Sequence, residues 1–150
     1  LQMIEVCFQE MTKKFSPEKK VSENFPRLTW QKAMEEYGSD KPDIRFDLRF
    51  SDISEAAKTS GFGIFEKSPF LFALPAPKKY GTLTRKDIDE LTDLARQHGA
   101  GGLAWLRIGE ESGPVAKNST PEFLKYVQET TKTEEGDLVF FGASTDFIKA

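Results

Sequence analysis

The residue types that most often carry out chemistry are scarce in this sequence. His98 is the only histidine and Cys7 the only cysteine among 150 residues. One histidine without cysteines at a suitable spacing does not make a zinc site, and a histidine near a helix C-terminus is explained by its favourable interaction with the helix dipole. The glycine clusters at residues 61–63 and 99–102 fit neither a dinucleotide-binding fingerprint nor a P-loop, and turn formation explains both. The sequence therefore predicts no catalytic residue and no metal ligand.

Four cationic side chains lie around one loop. Lys78 and Lys79 occupy the tip of a loop bounded by proline and glycine, and Arg85 and Lys86 follow at the start of a predicted helix. Such a group can contact the phosphates of a nucleic acid. A lysine-rich loop tip can equally serve only to keep the surface soluble, so both interpretations stay open.

A second charged segment combines Ser39, Asp40, Lys41, Asp43 and Arg45 in one predicted turn. Turn formation explains the serine, the aspartates and the nearby glycine and proline, but not the interleaved cations. Either the turn is held together by charge-assisted hydrogen bonds, or it receives a partner surface, at the rim of an active site or at a domain interface.

Composition predicts a single globular domain of ordinary size. Apolar residues make up 38% of the chain and charged residues 30%, and the net charge is −3. A domain that binds RNA by itself usually has a basic excess. If nucleic acid is a partner, most of the affinity should therefore come from other parts of a larger protein. The single cysteine fits a reducing, cytoplasmic setting, and no apolar stretch is long enough to span a membrane.

Apolar spacing and capping residues predict four longer helices. The first covers residues 1–15 and has one apolar stripe: Leu1, Ile4, Phe8, Met11 and Phe15. A second helix covers residues 30–37, between a Thr29 N-cap and a Gly38 C-cap. A third begins at a capping box that starts at Thr84, and a fourth begins near residue 119. We expect the apolar stripe of the first helix to pack against the rest of the chain or against a neighbouring copy, because such a patch rarely stays exposed.

Alternating or continuous apolar runs predict strands at residues 46–50, 61–65, 70–74, 103–108 and 138–141. A short helical turn is predicted at residues 54–59. The strand at 103–108 is apolar on both faces in part, which favours a central position in the sheet, with Trp105 in the core. This order of elements favours an α+β fold with two layers, a mainly antiparallel sheet with helices packed on one face.

Six segments resemble, in the same order, the region of bacterial-type aspartyl-tRNA synthetases that leads into and forms an insert called the GAD domain. They read FPRLTW at residues 25–30, AMEEYGSDKPDIR at 33–45, LTRKDIDE at 83–90, GAGGLAW at 99–105, GPVAK at 113–117 and GDLVFFGA at 136–143. The loop at residues 75–81 lacks the second Gly-rich motif that is common in the family, and the loop before Gly113 is short. Both departures concern exposed loops.

The resemblance implies a division of the chain. Residues 1–45 would be a piece of a class II catalytic domain with flanking helical segments, residues 46–142 the GAD insert, and residues 143–150 a truncated return toward the catalytic domain. The parent protein would be a cytoplasmic, homodimeric ligase that activates L-aspartate with ATP and Mg²⁺ and transfers it to tRNA. The family's signature arginines and its aspartate-binding residues match nothing in this sequence, so the chain alone is predicted to be inactive and to hold no cofactor.

Two alternatives remain at this stage. The same insert occurs in a subunit of a glutamyl-tRNA amidotransferase, although residues 25–45 resemble the synthetase. A stand-alone RNA- or protein-binding module is the other alternative. The sequence does not tell whether the parent protein also charges the asparagine tRNA.

Overall fold

The computed structural model describes residues 1–45, 47–110 and 112–146. The helices are α1 (Gln2–Phe15), α2 (Trp30–Tyr37), α3 (Ser54–Ala57), α4 (Gly63–Glu66), α5 (Arg85–Gln97), α6 (Pro114–Asn118) and α7 (Pro121–Thr131). The strands are β1 (Ser51–Asp52), β2 (Phe70–Ala76), β3 (Ala104–Arg107) and β4 (Leu138–Ser144), and a 3₁₀ turn covers Lys78–Tyr80.

The strands form one antiparallel sheet in the order β1-β2-β4-β3. The longest pairing joins β2 and β4, from Phe70 opposite Ser144 to Ala76 opposite Leu138. Strand β3 pairs with β4 at the edge of the sheet, with Trp105 opposite Phe140. The predicted α+β class and the antiparallel sheet are therefore confirmed.

Alternate residues of β4 enter two separate cores, because successive side chains of a strand point to opposite faces of the sheet. Val139 and Phe141 belong to the larger core, which includes buried residues from α3, α4, α6 and α7. Leu138 and Phe140 belong to a smaller core with Trp105 and with Ile88 of α5. Most helices thus share one face, but α5 covers the other. The prediction that helices cover one face only is wrong in this respect.

The capping residues correctly predicted both ends of α2 and the start of α5. The Thr29 hydroxyl accepts a hydrogen bond from the Lys32 N–H, and Gly38 ends α2 in the left-handed conformation. At the start of α5, Thr84 and Asp87 form a reciprocal capping box. Each cap involves residues no more than a few positions apart, so it can be recognised without the tertiary structure.

Two predicted strands are wrong. Residues 47–50 form no strand, and Phe46 lies outside the described residues; the ladder begins only at Ser51. The Phe50 N–H donates to the Glu36 carbonyl instead of to a strand. Residues 61–65 contribute to α4, where Phe65 is buried against Phe123 and Phe141. A short apolar run can be buried equally well as a helix or as a strand, so periodicity does not distinguish them.

The strand predicted at residues 103–108 forms as β3, and Trp105 is buried as expected. Its predicted central position is wrong, because β3 is an edge strand. Strand β3 is apolar because helices cover both faces of the sheet, not because it lies between two other strands. Helix α6, which the sequence analysis missed, contacts β3, and an isolated bridge from Ser112 to Arg107 lies at the end of the strand.

Helix α1 contributes no buried residue. Its apolar stripe is exposed from Leu1 to Phe15. Polar contacts join this helix to the segment that follows it, such as the 3.1 Å ion pair between Glu5 and Arg27. The expected packing of the stripe against the rest of the chain is therefore not met.

Candidate nucleic-acid interface

The loop between β2 and α5, together with the first turn of α5, carries the four predicted phosphate-contacting cations. It starts with the 3₁₀ turn, in which the Tyr80 N–H donates to the Pro77 carbonyl and the Gly81 N–H to the Lys78 carbonyl, both at 3.0 Å. We call residues 77–84 the cationic loop, and Arg85 and Lys86 follow it as the first two residues of α5.

Asp137, which is only 5% exposed, ties the start of the cationic loop to the turn before β4. Its Oδ1 accepts the Lys78 N–H at 2.8 Å, and its Oδ2 accepts the Glu134 N–H at 2.9 Å. The Lys78 ammonium donates to the Glu135 carbonyl at 2.7 Å. A buried carboxylate is costly unless it is hydrogen-bonded, and here both oxygens accept a backbone N–H.

Arg107 ties the far end of the cationic loop to the same turn. Its guanidinium donates to the Leu83 carbonyl at 3.0 Å and to the Gly136 carbonyl at 3.5 Å. Thr84 follows Leu83 in the sequence, and its side chain and backbone N–H donate to the Asp87 carboxylate. These hydrogen bonds hold the pKa of Asp87 below its usual value. The cationic loop is thus anchored at both ends.

The four cations have different surroundings. Lys78 is bonded to the Glu135 carbonyl, as described above, whereas Lys79 lies over the Tyr80 ring, with its ammonium 4.9 Å from the ring centroid. Arg85 pairs with Asp89 at 3.1 Å and Lys86 with Glu90 at 3.6 Å, all with highly exposed side chains. The Arg85 guanidinium also lies 5.8 Å from the centre of the Trp105 ring.

Helix stability does not explain the cations at the start of α5. The first turn of a helix favours acidic side chains, because the helix dipole is positive there. The two ion pairs also run from cation to carboxylate along the helix, which is the less favourable order, and exposed pairs contribute only about 0–1 kcal/mol. A negatively charged partner would account for Arg85 and Lys86 better than the stability of α5 does.

The turn at residues 38–45 is held together internally. The Ser39 hydroxyl accepts the Lys41 N–H at 3.1 Å. The Arg45 guanidinium donates to both oxygens of Asp43, with Nε 2.9 Å from Oδ1. The side-chain hydrogen bonds between Arg45 and Asp43 lower the pKa of Asp43 from 3.8 to about 2 and raise the pKa of Arg45. Charge-assisted bonding within the turn, one of the two predicted explanations, therefore accounts for Asp43 and Arg45. Among the described residues, no hydrogen bond or ion pair of the Asp40 or Lys41 side chain adds to this account.

Residues 47–50 follow this turn and lead into strand β1. The Arg49 guanidinium pairs with Glu36 at 3.1 Å and lies over the Tyr37 ring at 5.5 Å. Phe50 packs edge-on against Phe72 of β2, with the ring centroids 6.4 Å apart. The turn and the cationic loop are thus two separate features, bonded to different parts of the domain.

A groove of about 640 Å³ lies between α5 and α6, beside Arg85. Its α5 wall carries two internal acid–base pairs, Arg85 with Asp89 and Arg96 with Asp93, and Lys117 lies on the opposite wall. Two carboxylates against three cations leave the groove a net charge of only +1, which makes it a weaker candidate for binding an anion than the cationic loop.

The other candidates from the sequence are local. His98 caps the C-terminus of α5, and Cys7 is an exposed free thiol. Within residues 1–45, 47–110 and 112–146, no group of three or more His, Cys, Asp or Glu side chains is placed to hold a metal ion. No helix in the described part of the chain is both long and apolar enough to cross a membrane.

Sequence reasoning missed three residues of this interface: Tyr80, Arg107 and Asp137. Tyr80 had a visible signal, since it is an aromatic residue next to two lysines. Asp137 and Arg107 act on backbone groups far along the chain, 59 residues away for Asp137 and 24 for Arg107. No local pattern indicates such partners.

Comparisons with known proteins agree with the resemblance seen in the sequence. A family model described as the GAD domain matches residues 66–148. The chain is 41% identical over 136 residues to an aspartate–tRNA ligase of Staphylococcus carnosus, covering 87% of the chain and 23% of that protein. It is 45% identical over 121 residues to an aspartate–tRNA(Asp/Asn) ligase of Nitratidesulfovibrio vulgaris, covering 79% and 20%. An aspartate–tRNA ligase of Porphyromonas gingivalis is 40% identical over 134 residues, covering 86% and 23%. The chain thus spans about a fifth of the length of these relatives.

Proposed function

The chain belongs to the GAD domain family, and from this membership we propose that it is an internal region of a longer aspartate–tRNA ligase, one that contains the GAD insert. The observation that carries this proposal is the match of most of the chain to proteins named as such ligases. The three relatives described above are all named as ligases of this kind, which favours the ligase over the amidotransferase subunit and over a stand-alone module.

The parent protein would join L-aspartate to tRNA at the expense of ATP. In such a reaction ATP activates the aspartate carboxylate, and Mg²⁺ would stabilise the developing phosphate charge. The described residues offer no metal-binding group of three or more acidic, His or Cys side chains, so no step through Mg²⁺ is assigned to this chain. We also propose that the parent is cytoplasmic and homodimeric.

The arrangement of the arginines supports a non-catalytic role for the chain itself. Clamping ATP phosphates requires several preorganised cations that converge on one point. Each of the six arginines instead has a neighbouring partner. The pairs are Arg27 with Glu5, Arg45 with Asp43, Arg49 with Glu36, Arg85 with Asp89, Arg96 with Asp93, and Arg107 with the Leu83 carbonyl.

Within the parent, the chain would contribute a tRNA-proximal surface formed by the cationic loop and the start of α5. Three cations carry this role: Lys79, Arg85 and Lys86. Lys78, the fourth predicted contact, already donates to the Glu135 carbonyl, so its main effect would be to hold the loop. The turn at residues 38–45 would form part of the active-site rim or of a domain interface in the parent. Its polar groups there would be Asp40 and Lys41, which are exposed, and Ser39, which is half-buried.

The test of the tRNA contact uses the full-length parent protein. Lys79, Arg85 and Lys86 are changed together to alanine, and tRNA affinity is measured over a range of salt concentrations. Each lost phosphate contact should lower the slope of log K against log salt by roughly 0.7–0.9, so the triple variant should lose about two units of slope. The matched control changes Lys58, Lys67 and Lys125 to alanine, which removes the same charge from positions outside the cationic loop and outside α5.

Two outcomes separate the parts of this proposal. Equal slopes in the triple variant and its control would remove the tRNA contact but leave the ligase assignment. A parent protein without aspartate-dependent exchange of pyrophosphate into ATP would remove the ligase assignment itself.

A further inference from the structure

We propose that Tyr80 is a stacking platform for an unpaired nucleotide of the RNA that the parent protein binds. The inference rests on the proposed function, since the RNA partner comes from it. Tyr80 ends the 3₁₀ turn of the cationic loop and is 55% exposed. The ammonium of Lys79 lies 4.9 Å from the centroid of its ring.

The exposed ring of Tyr80 does little for the stability of the fold. An aromatic side chain stabilises a protein mainly through the apolar area it buries, as Phe65 and Phe123 do in the larger core. Tyr80 belongs to neither core cluster. Its ring contacts the ammonium of the adjacent Lys79. An exposed cation–π contact of this kind contributes only about 0.5–1 kcal/mol to stability. The ring is therefore available to a partner.

The loop that presents Tyr80 is anchored by side-chain hydrogen bonds at both ends. Asp137 holds the Lys78 backbone N–H, and Arg107 holds the Leu83 carbonyl, on either side of Tyr80. The buried Asp137 carboxylate, with both oxygens hydrogen-bonded to backbone N–H groups, thus fixes the position of this loop. A rigid binding surface loses less conformational entropy when a ligand binds, so the anchoring favours recognition over simple solubility.

The charges around Tyr80 fit a nucleotide. Single-stranded nucleic acids bind where bases stack on aromatic rings and nearby cations meet the phosphates. Lys79 is adjacent to the ring, and Arg85 and Lys86 follow at the other end of the loop. In a duplex, neighbouring base pairs cover both faces of each base, so stacking on a side chain requires an unpaired nucleotide. The combination therefore points to a single-stranded segment or a flipped-out base.

The experiment uses the 150-residue chain with two RNA probes at low salt. One is a single-stranded RNA of 12 nucleotides with a central 2-aminopurine, and the other is a duplex of the same length. Tyr80→Leu removes the aromatic ring and keeps an apolar side chain, Tyr80→Phe keeps the ring, and Tyr126→Leu changes another exposed tyrosine, which is 42% exposed on α7. Binding is followed by fluorescence anisotropy and stacking by the quenching of 2-aminopurine.

We expect Tyr80→Leu to weaken single-strand binding by about 5- to 140-fold, the range for loss of one stacked base. The quenching should disappear, while duplex binding and the salt slope stay unchanged because no charge is removed. Tyr80→Phe and Tyr126→Leu should behave like the unaltered chain. The thermal unfolding midpoint of Tyr80→Leu should also be unchanged, since the ring is exposed.

The inference is overturned if Tyr80→Leu and Tyr126→Leu bind alike, if duplex binding falls as much as single-strand binding, or if the unaltered chain shows no binding to the single strand. A partner protein that binds at Tyr80, with RNA binding unaffected, would also overturn it. Failure here is distinct from failure of the proposed function, which is judged by aspartate-dependent exchange in the full-length parent. A parent that is active, with no effect of Tyr80→Leu on the chain, would remove the stacking role alone.

Discussion

The ion pair between Asp43 and Arg45 makes the turn at residues 38–45 sensitive to acid. Hydrogen bonds from Arg45 lower the pKa of Asp43 to about 2. Because the folded pKa lies below the unfolded value of about 3.9, this carboxylate stabilises the turn above about pH 4 and loses that contribution as the pH falls toward 2. Arg45→Gln should raise the pKa of Asp43 toward its ordinary value, which a pH titration of the side-chain carboxyl ¹³C shift would measure.

Arg49→Gln provides the control for this titration. Arg49 pairs with Glu36 and with Asp47, not with Asp43, so the pKa of Asp43 should stay low in that variant. If Asp43 titrates identically in the unaltered chain and in Arg45→Gln, the guanidinium is not what lowers its pKa. Because both side chains of the pair are exposed, high salt should weaken the effect.

The junction between β3 and α6 depends on Gly113. Its φ of 105° lies in the left-handed region, and an added Cβ would lie 2.7 Å from the Trp105 carbonyl oxygen and 2.9 Å from the Trp105 ring. Gly113→Ala should therefore destabilise the chain by more than the roughly 1–3 kcal/mol that backbone strain alone costs. Thermal and urea unfolding followed by circular dichroism would measure the loss.

Gly102→Ala is the matched substitution at the other end of β3. No heavy atom lies within 4 Å of the Cβ position there, so the change in unfolding free energy should stay within about 0.5 kcal/mol. Equal stabilities for the two alanine variants would mean that α6 and β3 can move apart without cost. The proposed close packing of α6 on the edge strand would then be wrong.

The 150-residue chain should show no aspartate-dependent exchange of pyrophosphate into ATP, although its full-length parent should show it. Loss of a single preorganised donor from a catalytic site lowers the rate by about 10²–10³, and the arginines of this chain are paired locally rather than directed at one point. The assay compares the purified chain, the parent and a protein-free blank under the same conditions. Exchange by the chain above the blank would place the chemistry within these 150 residues.

The exposed helix α1 is consistent with a chain that is one part of a larger protein. A helix of 14 residues with no buried side chain gains little from tertiary packing, and isolated helices of that length are marginal in water. In the proposed parent, the apolar stripe of α1 would be available for packing against further domains. The same reasoning accounts for the negative net charge, since the tRNA affinity of the parent need not come from this region.

The sequence by itself determined the features that depend on neighbouring residues. The caps at Thr29, Gly38 and Thr84 each act within one helical turn, so their residue types were sufficient to predict them. The α+β class and the strands β2 and β4 followed from apolar runs bounded by turn residues. The family followed from ordered motifs along most of the chain, and the family model and the relatives agree with it.

Only the tertiary structure decided which distant segments meet. It made residues 63–66 a helix, because burial of Phe65 against Phe141 depends on where β4 lies. It placed β3 at the edge of the sheet and α5 on the opposite face from α3, α4, α6 and α7. It also joined Lys78 to Asp137, and thereby fixed the loop that presents Tyr80. Hydrophobic periodicity specifies which side of an element is buried but not its partner, and a hydrogen bond across 59 residues leaves no local pattern.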